Sequence, residues 1–168
     1  MNAEELRALQ APLKEAYRAE PTRALVTLRA DGGLDEASVS CRVDTGRALV
    51  EAGLHPATGG TGLQACSGDL LLQALVACAG VTLRAVATAL AIPIRKGTVR
   101  AEGDLDFRGT LGVSKEAPVG FRAIRLRFAL DTDASAEQLA TLERLTERYC
   151  VVLQTLRVPP AVSVETSR

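Results

Sequence analysis

The chain has 168 residues, enough for one domain with a sizeable core. Lys plus Arg and Asp plus Glu both number 20, a formal net charge of zero that gives no nucleic-acid surface and no patch for anionic membranes. Aromatic residues make up 3%, so Leu, Val and Ala must build the core. The four cysteines form no C-x-x-C pair and His55 is the single histidine, so no metal site is expected. The start, MNAEELRALQ, is charged and amphipathic rather than a signal peptide. Reduced thiols in a cytoplasmic protein are therefore expected.

Leu6, Leu9, Leu13 and Tyr17 fall at helical spacing, predicting an amphipathic N-terminal helix closed by Pro21. This helix, over residues 1–20, is read as an extension of a single domain covering 1–168. Arg23 to Arg29 reads as a strand and residues 30–36 (ADGGLDE) as a turn. Ala37 to Asp44 alternates as a second strand, and Ala48 to Glu51 follows as a third. Cys41 lies in the second strand as a small strand residue. Residues 53–66 (GLHPATGGTGLQAC) match no phosphate-binding pattern and read as a flexible connection, with His55 a loop residue.

The chain is organised around the apolar run from Ser67 to Ile92. Ser67, Gly68 and Asp69 read as an N-cap and an acidic first turn, and Pro93 stops the run. Nearly every face is apolar, which predicts a buried central helix, open to packing against its own copy in a dimer. Its length would also span a bilayer, but Gln73 and Arg84 argue against that, a central arginine costing about 2.5–3.5 kcal/mol. Lys96 to Phe107 and Phe121 to Asp131 read as strands. The second alternates cleanly, with Ile124, Leu126, Phe128 and Leu130 on one side and Arg125 and Arg127 on a solvated one. Ser135 opens a second helix with Glu137 and Gln138 in its first turn. Leu139, Leu142, Leu145, Tyr149, Leu153 and Leu156 form its apolar stripe, with Cys150 beside it. Pro159 and Pro160 end that helix, and Ala161 to Glu165 can add a last strand. The order β-β-β, α, β-β, α, β defines an α+β chain with antiparallel strands.

Cys78 and Cys150 lie in helices beside packing faces, where a cysteine is ordinarily a small hydrophobe. Cys66, before the helix start, sits where a thiolate is favoured. The stretch from Ser67 to Cys78 (SGDLLLQALVAC) resembles the central-helix motif of the OsmC/organic hydroperoxide resistance family. There an acidic residue and Leu-Leu precede an A-L-x-x-C run. Glu147 to Val152 (ERYCVV) is similar to that family's second-cysteine motif. The likeness runs from about residue 23 to 166 and fits the element order, with the OsmC-like branch the better match.

The resemblance implies an OsmC-like fold, with antiparallel sheets around the central helix in an intertwined homodimer. It implies thiol-dependent reduction of hydroperoxides, organic ones preferentially. Cys78 would be the attacking thiolate and Cys150 the resolving thiol. Asp69 would match the acidic residue that holds an activating arginine, for which Arg29, Arg42 and Arg47 are the candidates. No cofactor is implied beyond an external dithiol reductant. A different reading of the same scaffold is a small-molecule or lipid-binding protein whose cysteines only pack.

Overall fold

The computed structural model describes residues 2–5, 8, 10–11, 19, 31–34, 40–44, 49–112 and 114–167, with only the backbone for 31–34, 40–44 and 49. The elements are β1 (Asp31–Leu34), β2 (Ser40–Asp44), β3 (Leu49–Gly53), β4 (Ala65–Cys66), α1 (Ser67–Ala89), β5 (Lys96–Asp104), α2 (Phe107–Thr110), β6 (Ala123–Asp131), α3 (Ala136–Tyr149) and α4 (Val151–Arg157). This is an α+β chain with a long helix and mainly antiparallel strands. The described residues of the N-terminal stretch are helical from residue 3. Asn2 and Glu5 bond each other's backbone N–H, both at 2.9 Å, as a capping pair. Leu6, Leu9, Leu13, Tyr17 and the strand expected at Arg23 to Arg29 lie outside the described residues.

The chain divides into two units, Met1–Ala8 with Ala74–Arg100 and Arg127–Arg168, and Leu9–Gln73 with Ala101–Leu126. In the first, Leu75, Ala79, Leu83 and Ala87 are the buried residues of α1, spaced four apart along one stripe. Leu83 and Ala87 join Ile92 and Leu142 in a core that Val86, Ile94, Phe128, Leu130 and Leu139 flank. Burying a leucine of this kind is worth about 1.5–3 kcal/mol. The helix is long and apolar enough to cross a membrane by composition, yet this stripe is core. On another face of the helix Val81 is 73% exposed in the single chain.

α1 ends before Pro93, by backbone geometry. Ile92 N–H bonds the Ala87 carbonyl at 2.8 Å and Ala91 N–H bonds Thr88 at 3.1 Å. Ala91 takes φ 55° to close this Schellman turn. Ile92 then folds back into the core. β6 alternates as expected, its odd-numbered arginines exposed, and Arg125 forks onto Asp104 across the ladder, its Nη2 at 2.7 Å. At the other end Arg95 bonds Asp131 and Asp133.

In the second unit β1, β2 and β3 are antiparallel neighbours and β4 pairs with β3 in parallel. Two expectations change here. Residues 31–34, read as a turn, form β1, with Gly32 and Gly33 opposite Val43 and Arg42. Strand pairing satisfies the backbone whatever the side chains are, so a Gly-Gly pair is tolerated in a ladder. The connection over 53–66 is also structured. Pro56–Thr58 is a 3-10 turn capped by His55, and Ala65–Cys66 is a strand leading straight into α1. The last strand expected at Ala161 to Glu165 is absent from the described residues, which run on without regular pairing.

Candidate functional site

The second long helix does not run through Cys150. α3 opens on the expected Ser135–Gln138 capping box, but Cys150 has φ −73° and ψ 106°, an extended conformation between α3 and α4. The residue caps both helices. Its N–H reaches the Thr146 carbonyl at 3.0 Å, and its own carbonyl accepts from Gln154 N–H at 2.9 Å. The break frees the N–H groups of Val151, Val152 and Leu153, since the first turn of a helix has no carbonyls to bond. On the other side the Glu147 carbonyl accepts from the Gln154 side chain at 2.6 Å, and Arg157 pairs with Glu147 at 2.8 Å. Side chains thus splice the two helices while the backbone donors stay available.

Those donors meet the two thiols. Cys78 and Cys150 are both free cysteines, the first half-buried and the second fully buried. Burial alone pushes the Cys78 thiol up. The Val152 N–H, the Cys150 thiol, the Val151 N–H and the Thr82 hydroxyl, one turn further along α1, outweigh it, and the net pKa lies below the ordinary thiol value. For Cys150 burial also pushes up, and there it wins. The Leu153 and Val152 N–H groups oppose it, while donation to Cys78 and the charge on Cys78 hold its proton in place. The two shifts run in opposite directions, Cys78 towards thiolate and Cys150 towards thiol. The helix N-terminus adds a favourable field for the anion.

The structure brings together Cys78 and Cys150, the two positions singled out in the sequence. Asp69 belongs to the other unit, exposed in the first turn of α1. Arg29 and Arg47 lie outside the described residues, as does the side chain of Arg42. The side chain of Cys41 is likewise outside them. Sequence reasoning missed Thr146, which is 1% exposed with its hydroxyl unpartnered among the described residues. It also placed Tyr149 in the stripe, whereas Tyr149 is 58% exposed and Cys150 takes the buried place. Only the β-branched pair Val151–Val152 hints at the break in the sequence. No group of His, Cys, Asp and Glu among the described residues could hold a metal.

Fold and site together define a small α+β protein that sets one cysteine of a long helix against a second at a helix break. A family model for OsmC-like protein matches residues 60–165. The chain belongs to the OsmC-like family. No curated protein matches it. Among solved structures it is similar to an OsmC-like protein from Mycoplasma pneumoniae, at 19% identity and a TM-score of 0.66, covering 80% of this chain and 89% of that one. An organic hydroperoxide resistance protein from Elizabethkingia anophelis gives 18%, 0.64, 80% and 91%. A protein titled organic hydroperoxide resistance protein OsmC, from Legionella pneumophila, gives 18%, 0.62, 80% and 91%. At these identities the likeness speaks for the fold alone.

Proposed function

We propose that the protein is a cytoplasmic, thiol-dependent hydroperoxide reductase acting on organic hydroperoxides. The observation that carries this reading is the opposed pair, with Cys78 held towards thiolate and Cys150 held as thiol next to it. The Cys78 thiolate attacks the distal peroxide oxygen, the O–O bond breaks, and the alkoxide leaves to take a proton as the alcohol. Cys78 is then a sulfenic acid. The Cys150 sulfur displaces its hydroxyl, forming the Cys78–Cys150 disulfide and releasing water. An external dithiol reduces that disulfide by two exchange steps and leaves as its own disulfide. Asp69 is retained as the acidic residue that would steady an activating arginine, with Arg29, Arg42 and Arg47 as its candidates.

The working form is proposed to be a single-domain chain in a homodimer. Ala74, Ala77 and Val81 lie at i, i+3 and i+7 on α1 and are all exposed, a face that a second copy of the helix would cover. Val81→Asp should convert the dimer to monomer in sedimentation velocity. A parent chain that sediments as a monomer at micromolar concentration removes the dimer.

The deciding experiment titrates reduced protein with cumene hydroperoxide and with hydrogen peroxide, maps oxidised cysteines by mass spectrometry, and uses Cys78→Ser as control. Rapid stoichiometric formation of the Cys78–Cys150 bridge, faster with the organic peroxide, is expected. Thiol loss no faster than that of free cysteine would leave the fold standing and remove the enzyme.

A further inference from the structure

The second unit holds a cleft beside the start of α1. Two adjoining hollows, of about 150 Å³ and about 400 Å³, share His55, Cys66, Gly68, Leu105, Phe107 and Phe121 as walls. The chain has 3 phenylalanines and 1 histidine. Two of the three and the only histidine therefore line one cleft, although aromatic rings are the largest apolar groups a core can use.

These walls are built rather than loosely gathered. The His55 ring stacks on Phe107 with centroids 4.8 Å apart and planes 18° off parallel. Its Nδ1 accepts from Ala57 N–H at 3.0 Å, so the neutral ring carries its proton on Nε2. The His55 carbonyl takes the Thr58 and Gly60 N–H groups at 2.8 and 3.1 Å. On the facing side Asp106 caps α2, gripped by Arg108 Nε at 2.9 Å and Nη2 at 2.6 Å, which holds Phe107 in place. Gly68 lines both hollows. A Cβ there would stand 3.3 Å from Phe121 Cζ, 3.5 Å from Leu105 Cδ1 and 3.6 Å from Cys66 Sγ.

We propose that this cleft binds a small molecule without negative charge, built on one aromatic ring. The wider hollow, of about 400 Å³ and the more apolar of the two, has room for one ring, and the smaller, lined by Asp69, for a short polar substituent. The half-exposed aromatic walls favour offset or edge-on ring contacts. Asp69 also lines the smaller hollow, so an anion there would meet a like charge. The site uses neither Cys78 nor Cys150, and shares only Asp69 with the residues named for the peroxide chemistry.

The test is an NMR titration of the full chain with benzyl alcohol, with benzoate as the anionic counterpart. Saturable shifts of the His55, Phe107 and Phe121 ring signals are expected, with benzoate weaker by about tenfold or more. Gly68→Val should weaken benzyl alcohol by about tenfold, and Gly68→Ala, which helix propensity favours, by less. The double variant Cys78→Ser, Cys150→Ser should bind as the parent does. Absence of saturation at these rings in the parent, equal binding of benzoate, or loss of binding in the double cysteine variant each overturns the proposal.

Discussion

The two cysteine-bearing helices differ in how they treat their sulfur. α1 is continuous, 23 residues of mostly Leu, Ala and Val, and Cys78 is one more side chain on its flank. The α3–α4 segment is amphipathic, and it breaks at its cysteine. The unbroken helix carries the cysteine whose pKa is lowered, while the broken one provides the backbone donors that lower it against burial. Among the described residues no cation is needed for that shift, since peptide N–H groups, a thiol and a hydroxyl supply it. The backbone of the other helix is thus the source of two of the donors that lower Cys78.

The sharpest way to break this comparison is to remove each sulfur. Cys78→Ser should bring peroxide consumption down to background. Cys150→Ser should keep the first oxidation and accumulate a sulfenic acid that dimedone traps; equal effects of the two would mean that their roles are not divided. Val151→Pro comes next. Cys150 is already extended, as a residue before proline should be, and proline suits the first position of a helix. The substitution deletes one donor to Cys78 and keeps the break. A hydrogen bond to a charged group is worth about 1.5–3 kcal/mol, so the Cys78 pKa should rise by about one unit or more. Thiolate absorbance near 240 nm against pH would show it.

The signs of the two shifts also set an order. Because the Cys78 pKa is lowered on folding, its ionised form adds stability above the unfolded pKa, and that is lost as pH falls through the folded one. Cys150, raised, adds stability below its unfolded pKa and loses it as pH rises through the folded value. Alkylation by iodoacetamide should therefore reach its plateau at lower pH for Cys78 than for Cys150. Simultaneous plateaus would contradict the division of roles.

Two stability changes sharpen the same contrast. Thr146→Val keeps the shape of a buried residue and removes an unpartnered hydroxyl, so the protein should gain about 1 kcal/mol in urea unfolding. Ala91→Gly relieves a left-handed residue at the end of α1 and should give about 1 kcal/mol or somewhat less. A loss in either case would show that the residue is held by contacts beyond its own backbone or hydroxyl.

What could be read in the sequence was side-chain periodicity and caps. Ser67 and the apolar run located α1, the alternation from Ile124 to Leu130 located β6, and Ser135 with Gln138 located α3. The thiol pair was legible through motif likeness, since spacing alone leaves Cys78 and Cys150 as packing residues. Features made by the backbone were not legible. Gly32–Gly33 joins a ladder, Ala91 takes a conformation usual for glycine, and Cys150 interrupts a helix without a proline or glycine near it. Each depends on which partner the peptide groups find in the folded chain, and residue type says little about that.

The splice between α3 and α4 has a further consequence for amide exchange. The amides of Val151 and Val152 rest on a sulfur rather than on a carbonyl. Their protection from deuterium thus tracks the charge on Cys78, while the Cys150 and Gln154 amides, bonded to carbonyls, hold as long as the helices do. Oxidation should loosen the first pair and leave the second, so that four neighbouring amides record the redox state of the site in their exchange rates.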